Sequence, residues 1–301
     1  MSIKLTGADA TKGMSAMGEA ELVIVRRAYA KQVMAPFTLN DPRLESGFAE
    51  LRREDFLGRG PWQLARYPAG YFLSPSDDPV YLYQDIPVGI VPSQALNSGQ
   101  PSFLAFLISI GQPREGEHAV HIGAGAGYYT ALIARLIGTA GMVTAVEYEP
   151  DLASRATANL SGYQNVHVVA GDGSTISLDP ADIIYVNAGT TGPAETWLNA
   201  LKDGGRLILP LTSSYTTDDG HSMTRGLIFL IIRRGSTYLA RWMSGTSIYP
   251  CAGARNEASE RALDAAFKNG GWDKVTRLYR TDRIPEAQCW VRTPSWSLAY
   301  Q

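Results

Sequence analysis

The chain has 301 residues, a formal net charge of -2 at pH 7 and a hydrophobic content of 45%. That length accommodates one large domain or two modest ones, and the apolar content supports a packed core. Charges of both signs are scattered, so the sequence lacks the basic surface that nucleic-acid binding requires. No segment has the apolar length of a membrane helix or a signal peptide, and Cys251 and Cys289 make no disulfide framework. We therefore predict a cytoplasmic protein with no nucleic-acid or membrane partner.

The first hundred residues are predicted to be helical and then rich in loops. Residues 1–20 are rich in Gly, Ala, Ser and Met, a composition typical of partial disorder. Apolar residues at helical spacing predict an amphipathic helix over 19–34, and a shorter helix is predicted near 42–56. The loop over 58–91 is dense in Pro, Gly and aromatic residues. It either covers a functional site or is an ordinary surface loop. We assign residues 21–100 to a region that covers the active site.

From residue 101 the chain alternates between helices and strands. Helices are predicted over 101–111, 127–138, 150–163 and 194–204, and strands over 118–123, 141–148, 165–172, 181–189 and 205–212. This alternation is typical of an α/β fold with a mostly parallel central sheet and helices on both faces. Two strand-like runs around "RRGS" predict a closing antiparallel hairpin. A helix over 257–270 and strands over 275–280 and 289–300 follow, so we divide this part into a core, 101–255, and a C-terminal extension, 256–301.

A glycine-rich turn, "HIGAGAGYY" at 121–129, lies between a predicted strand and a predicted helix. Such a turn admits a ligand close to the backbone, and a dinucleotide, a phosphate and a sulfonium cofactor are the candidates. A dinucleotide turn has the pattern G-x-G-x-x-G. Here Gly123, Gly125 and Gly127 give G-x-G-x-G, and Tyr128 stands where the third glycine of the fingerprint belongs. A phosphate loop fails because no Lys followed by Ser or Thr closes the turn, so S-adenosylmethionine becomes the favoured ligand.

Polar side chains at the ends of the next two strands favour the same ligand. Glu147 ends the second strand, where a carboxylate meets a ribose diol in dinucleotide enzymes as well. Asp172 ends the third strand and is placed to accept from an adenine amino group, with Gly173 leaving the backbone uncrowded and Tyr148 lying along the adenine. Each residue alone is more often a helix cap or a solvated loop residue. Their occurrence at successive strand ends predicts a cofactor site, because open α/β sheets bind ligands at that edge.

Residues 26–253 resemble the protein-L-isoaspartate O-methyltransferase family of the class I S-adenosylmethionine-dependent methyltransferases. The resemblance lies in seven motifs: "LRREDF", "YQDIPVGI", "GQPSFLA", "GAGAGYYTALIA", "VVAGDGS", "LKDGGRLILPL" and "YPCAGA". It implies a Rossmann-like fold, S-adenosylmethionine as cofactor, an isoaspartyl peptide or protein as acceptor and a role in protein repair. We assign cofactor binding to His121, Gly123, Ala124, Gly125, Gly127, Tyr128, Glu147, Tyr148, Asp172 and Gly173.

Two positions depart from the family pattern. The family carries an acidic residue two positions before its first glycine, where this chain has His121, so the usual partner of the methionine ammonium is missing or replaced. The family also places a hydroxyl residue directly before Gln-Pro, where this chain has Gly99, with Ser98 one residue earlier. Either the loop is shifted and Ser98 takes the role, or the hydroxyl is lost and the acceptor differs.

The reaction itself places few demands on side chains. Methyl transfer from a sulfonium is an in-line displacement, so the protein mainly supplies position and a dry site. A carboxylate acceptor is already ionised near neutral pH and needs no general base, and the histidines form no acid–base constellation. We therefore predict a carboxylate acceptor oriented by Ser98 or by nearby backbone N–H groups, and no metal site. Asn187 is expected near the transferred methyl group, or else caps a turn.

Two alternatives to an isoaspartyl methyltransferase follow from the departures. One is a methyltransferase of the same fold that acts on a small molecule or a modified peptide, with the C-terminal strands reshaping its acceptor entrance. The other is a catalytically lapsed cofactor-binding module that binds a partner protein. Trp272, Trp290 and Trp296 cluster in the C-terminal extension and would serve that partner or a homodimer.

Overall fold

A computed structural model describes residues 17–66, 70–94, 96–216 and 222–301. Most of the stretch predicted to be disordered, residues 1–16, lies outside this part of the chain. The helices are α1 (Glu19–Met34), α2 (Pro42–Glu50), α3 (Glu54–Leu57), α4 (Pro101–Gly111), α5 (Tyr128–Ile137), α6 (Pro150–Asn159), α7 (Glu195–Ala200) and α8 (Glu257–Asn269). The strands are β1 (Gln63–Ala65), β2 (Tyr71–Leu73), β3 (Gly89–Val91), β4 (Leu96–Asn97), β5 (His118–Ile122), β6 (Met142–Glu147), β7 (Val166–Ala170), β8 (Ala181–Val186), β9 (Leu201–Thr216), β10 (Ser222–Arg234), β11 (Thr237–Thr246), β12 (Arg277–Tyr279), β13 (Cys289–Arg292) and β14 (Ser297–Ala299).

A ten-stranded sheet organises the molecule, in the order β13-β14-β12-β11-β10-β9-β8-β5-β6-β7. The pairs that join β9, β8, β5, β6 and β7 are parallel. All five residues of β5 are buried, as expected for a central strand covered on both faces. The hairpin of β10 and β11 turns at Gly235 and pairs antiparallel. The parallel core and its antiparallel hairpin are therefore confirmed.

Helices cover both faces of the sheet, as predicted. Successive residues of β8 show this, because Ile183 packs in one hydrophobic cluster and Ile184 in the other. The first cluster contains side chains of α1, α2, α4 and α5, and the second contains those of α7 and α8. None of the helices within the described ranges combines the length and apolar content needed to cross a membrane.

The C-terminal extension differs in detail from the prediction. The segment 289–300 forms two strands, β13 and β14, and all three strands of the extension add to the central sheet beside β11. Trp290 and Trp296 are 6% and 4% exposed, and the Trp290 ring packs against the rings of Phe229 and Phe267. These two tryptophans fill the chain's own core, so they do not form the exposed aromatic surface from which an interface was inferred.

The loop region before α4 is anchored by Asp85. Its two carboxylate oxygens accept from the backbone N–H of Ser102, at 2.7 Å, and from the side-chain amide of Gln100, at 3.0 Å. Asp85 thereby satisfies one of the unpaired N–H groups of the first turn of α4. The bond fixes the loop against the helix, close to the carboxyl ends of the parallel strands.

Candidate functional site

A cavity of about 480 Å³ lies at the carboxyl ends of β5 and β8. These neighbouring strands lead to opposite sides of the sheet, β5 towards β6 and β8 towards β9, and open α/β sheets bind ligands at such a crevice. The volume is within the range of small-molecule sites. Five parts of the chain supply most of its lining. They are the loop before α4 (97–100), the glycine turn (123–126), the start of α5 (Tyr128 and Tyr129), Asn187 directly after β8, and the end of β11 with the residues that follow it (245–249).

The glycines of the turn have two different roles. Gly123, Gly125 and Gly127 have φ values of 77°, 57° and 95°, which glycine adopts without strain. A Cβ on Gly123 or Gly125 would approach no other atom closer than 3.5 Å, so these two positions leave room for a ligand in the cavity that they line. A Cβ on Gly127 would lie 2.8 Å from Leu160 Cδ1. Gly127, predicted to contact the cofactor, instead permits close packing behind the turn.

The backbone amides of the turn are used within the protein. The N–H groups of Gly123 and Ala124 donate to the carbonyl of Val146, at 2.8 and 3.1 Å. The N–H of Gly125 donates to Glu147 Oε2 at 2.6 Å. A pyrophosphate would need such amides and would be repelled by the carboxylate beside them. The turn therefore fits a ligand without phosphate better than it fits a dinucleotide.

Glu147 lies behind the turn and is 6% exposed. Its second oxygen accepts from the backbone N–H of Glu149 at 3.0 Å. Burial raises the pKa of this carboxyl, and the bonds from Glu149 and Gly125 oppose that rise. The carboxylate shapes the turn, and its predicted bond to a ribose diol stays a prediction.

His121, Asn187 and Thr130 form a connected set beside the cavity. Asn187 Nδ2 lies 2.6 Å from His121 Nε2, and His121 Nδ1 lies 2.8 Å from Thr130 Oγ1. An amide nitrogen only donates, so Nε2 is the unprotonated nitrogen and Nδ1–H donates to Thr130. Burial lowers the pKa of His121 to about 4, which keeps the imidazole neutral. Asn187 is thus held with its amide nitrogen on His121, which leaves its amide oxygen for a ligand.

The hydroxyl at the cavity is that of Ser98. Gly99 has a φ of 72°, and a Cβ there would lie 2.7 Å from Leu104 Cδ2, so the structure has no room for a hydroxyl residue directly before Gln-Pro. Ser98 lines the cavity, and its Oγ accepts from the backbone N–H of Val88 at 3.0 Å. Of the two possibilities left open by the sequence, the geometry favours the shifted loop.

Six of the predicted cofactor residues do not line the cavity, and three of them, His121, Gly127 and Glu147, are described above. Tyr148 is 53% exposed. Asp172 Oδ1 accepts from the backbone N–H and the hydroxyl of Ser174, at 2.8 and 2.7 Å, and Gly253 lies directly against its carboxylate. A Cβ on Gly173 would lie 2.7 Å from Ile122 Cγ2, so this glycine permits strand packing. The adenine contacts assigned to Tyr148, Asp172 and Gly173 stay predictions.

Two parts of the site were missed in the sequence. One is the segment 245–249 at the end of β11, whose only local signal is the sequence "GTSIYP". The other is Arg53 in "LRREDF", whose guanidinium reaches Ser98. Within the described ranges no three His, Cys, Asp or Glu side chains come together as a metal site requires.

Comparison with known proteins links this geometry to one family. A family model described as "Protein-L-isoaspartate(D-aspartate) O-methyltransferase (PCMT)" matches residues 68–221, about half of the chain. Protein-L-isoaspartate O-methyltransferase 2 of Archaeoglobus fulgidus is 33% identical over 178 residues, which are 58% of this chain and 80% of that protein. The protein-L-isoaspartate O-methyltransferase of Thermotoga maritima is 32% identical over 174 residues, 56% of this chain and 50% of its own.

Solved structures extend the likeness to most of the fold. A protein-L-isoaspartate O-methyltransferase superimposes with a TM-score of 0.61 at 25% identity, over 85% of this chain and 74% of its own. A structure from Plasmodium falciparum described as a putative protein-L-isoaspartate O-methyltransferase has a TM-score of 0.58 at 16% identity, over 75% of this chain and 97% of its own. The second likeness concerns the fold alone.

Proposed function

The chain belongs to the protein-L-isoaspartate O-methyltransferase family of S-adenosylmethionine-dependent methyltransferases, and from this we propose that it esterifies an isoaspartyl carboxylate in peptides or proteins. The observation that carries the proposal is the cavity at the switch point of the sheet. It brings Ser98 from the loop region, the glycine turn and Asn187 to one space. The Ser98 hydroxyl, proposed to bind the acceptor, and the glycine turn, proposed to bind the cofactor, therefore line the same cavity.

The cofactor side of the site fits S-adenosylmethionine. The open space over Gly123 and Gly125 admits a ligand, and the amides of Gly123, Ala124 and Gly125 already donate within the protein. Asn187, oriented by His121, would accept from the methionine ammonium with its amide oxygen, in place of the acidic side chain that His121 replaces. Glu147, Tyr148 and Asp172 remain the proposed contacts of the adenosyl part.

The acceptor side fits a carboxylate that needs no base. When bound, the cofactor supplies a methyl group on a positively charged sulfur, which an ionised carboxylate displaces directly. His121, the imidazole nearest the cavity, is neutral and bonded through both nitrogens, so it is not a free base. Ser98 would orient the acceptor, and apolar side chains such as Ile90 and Phe103 in the lining would exclude water.

We keep the cytoplasm as the proposed location, supported by the two unpaired cysteines, and protein repair as the proposed role. One feature that favoured a small-molecule methyltransferase, an acceptor entrance reshaped by the C-terminal strands, is absent from the described part of the chain. The described residues that line the cavity end at Tyr249, so the C-terminal strands do not shape its entrance.

Incubation with methyl-labelled S-adenosylmethionine and an isoaspartyl peptide tests the proposal. We expect label in a base-labile methyl ester, and none with the same peptide carrying a normal aspartyl residue. The Ser98→Ala variant should lose most of this transfer. Tight cofactor binding without transfer to the isoaspartyl peptide would contradict the proposal.

A further inference from the structure

Arg53 is a buried cation at the back of the acceptor side of the cavity. It directly precedes α3, and its exposed fraction is 1%. One of its terminal nitrogens donates to the backbone carbonyls of Leu82 and Gln84, and the other donates to Ser98 Oγ at 3.4 Å. The guanidinium therefore connects the loop region to the hydroxyl that lines the cavity.

The charge of Arg53 is not neutralised by an acid. No carboxylate in the described part of the chain lies within ion-pair distance of it, whereas the neighbouring Arg52 is exposed and paired with Glu54 and Asp55. The guanidinium instead faces the rings of Tyr29 and Tyr128, at 5.6 and 5.9 Å from their centroids. Rings and carbonyls stabilise a cation but leave its full charge in place.

The polar groups around Arg53 are also incompletely bonded. Arg53 Nε and the Tyr129 hydroxyl are buried and lack hydrogen-bond partners in the described structure, and the nearby Tyr29 and Tyr128 hydroxyls are buried as well. Burying an unpaired charge is unfavourable by several kcal/mol unless something compensates it. An anion in the adjoining cavity, which Tyr128 and Tyr129 line, would supply that compensation.

The bonds of Ser98 determine what its hydroxyl offers to a ligand. Its oxygen already accepts from the Val88 amide at 3.0 Å and from Arg53 at 3.4 Å. A hydroxyl oxygen has two acceptor positions, so the hydrogen is what remains. In the described structure this hydrogen points to the Gly99 carbonyl at 3.3 Å, and a charged ligand oxygen in the cavity would be a stronger acceptor for it. Ser98 therefore presents a donor to the cavity, which complements a carboxylate.

We propose that Arg53 is a positioning and specificity-determining residue, which holds Ser98 as a donor and selects an acceptor that carries a negative charge. This inference rests on the proposed function. In the reaction a carboxylate oxygen forms a bond to the methyl carbon as the carbon–sulfur bond breaks. The ester and the thioether that result are both neutral. The attraction of Arg53 is thus greatest for the ionised acceptor and weakens as its charge is lost.

The loss of the acceptor's charge during the reaction predicts which kinetic constant depends on Arg53. Loss of an interaction that is stronger in the bound acceptor than in the transition state weakens binding but does not slow the bound complex, because the barrier from that complex stays the same or becomes lower. Arg53→Met should raise KM for the isoaspartyl peptide about tenfold or more, the size expected for a lost hydrogen bond to a charged group. The value of kcat should stay within about threefold.

The control is Arg52→Met, the same substitution at the exposed neighbour, which should leave KM unchanged. Calorimetric titration with S-adenosylhomocysteine checks that both variants fold and keep the cofactor site. In a double-mutant cycle, Arg53→Met should have a smaller effect on KM once Ser98 is Ala, because the charge acts partly through that hydroxyl. Arg53→Lys should recover part of the loss.

A measurement on the unaltered protein keeps the inference testable if Arg53→Met does not fold. The isoaspartyl peptide should bind about tenfold or more tightly than the same peptide with a carboxamide in place of that carboxylate. Equal binding of the two peptides, or equal KM in folded Arg53→Met and Arg52→Met, would overturn the role of Arg53 while leaving the methyltransferase activity intact. Failure of the unaltered protein to methylate the isoaspartyl peptide would instead overturn the proposed function.

Discussion

Asn187 donates its side-chain amide to Nε2 of His121 over 2.6 Å, and this bond fixes a ligand-facing oxygen at the end of β8. His121 stands at the position where the family carries an acid. The neutral imidazole cannot itself bind an ammonium through an N–H, but it holds an amide whose oxygen can. We therefore propose that a pair of uncharged groups takes the place of the family's carboxylate partner.

The protonation of His121 predicts a pH dependence of stability. Its pKa is lowered from 6.5 to about 4 in the folded protein. Below pH 6.5 His121 therefore binds a proton in the unfolded chain but stays neutral in the folded chain, and the free energy of unfolding falls as the pH is lowered towards 4. Over this interval His121 should remove about 3 kcal/mol from the free energy of unfolding.

The measurement is denaturant unfolding at several pH values for the native protein and for His121→Gln. Glu147, whose pKa is raised by burial, changes stability in the opposite direction, so the difference between the two proteins is the quantity to compare. That difference should shrink from pH 7 to pH 4. A difference that does not depend on pH would show that His121 titrates normally.

Asn187→Ala should weaken cofactor binding. The substitution removes the amide oxygen proposed for the methionine ammonium and leaves His121 Nε2 without its donor. We expect the Kd of S-adenosylmethionine to rise about tenfold or more, by isothermal titration calorimetry. Asn165→Ala removes two partly buried side-chain bonds, to the carbonyls of Ala134 and Gly138, and should leave the Kd unchanged. Equal affinities in the native protein and Asn187→Ala would remove Asn187 from the cofactor site.

Glu147→Gln should destabilise the glycine turn. Both carboxylate oxygens accept from backbone N–H groups, of Gly125 and Glu149, and an amide can accept at only one of its two ends. One buried N–H is left facing another donor, which should lower the free energy of unfolding by about 1–3 kcal/mol. Glu149→Gln alters a nearby carboxylate without removing either bond and serves as the control. Identical denaturation midpoints for the two variants would contradict this role of Glu147.

Gly99→Ser, which restores the family's residue before Gln-Pro, should impair the protein. The backbone at Gly99 is left-handed and Leu104 occupies the space of a side chain, so we expect a loss of about 1–3 kcal/mol in stability and no gain in methyl transfer. Gly116→Ser is matched in φ, at 81°, but has open space around it. Gly116→Ser should lower the thermal denaturation midpoint less than Gly99→Ser does, and it should keep its methyltransferase activity. Faster transfer by Gly99→Ser would show that the loop is not shifted towards Ser98.

Local sequence patterns determined the parallel core of this protein. The alternation of helical and strand periodicity predicted β5 to β9 and the helices between them, and the predicted boundaries lie within a few residues of those in the structure. The prediction succeeds because amphipathic spacing is a local property of the sequence. The glycine turn was recognisable for the same reason. The helix before β9 was predicted four residues too long, since Leu201 joins the sheet although its apolar character also suits a helix.

Tertiary packing decided which groups face the cavity. The sequence left open whether Ser98 takes the role of the family's hydroxyl or whether that hydroxyl is lost, and only the folded chain shows that Ser98 lines the cavity and that Leu104 packs against Gly99. The role of Gly127 depends on Leu160, and the importance of Arg53 depends on a serine 45 residues further along the chain. The sequence suggested that the tryptophans of the extension form an interface, whereas in the folded sheet Trp290 packs against Phe229. These features depend on contacts between segments distant in sequence, and no local periodicity records such contacts.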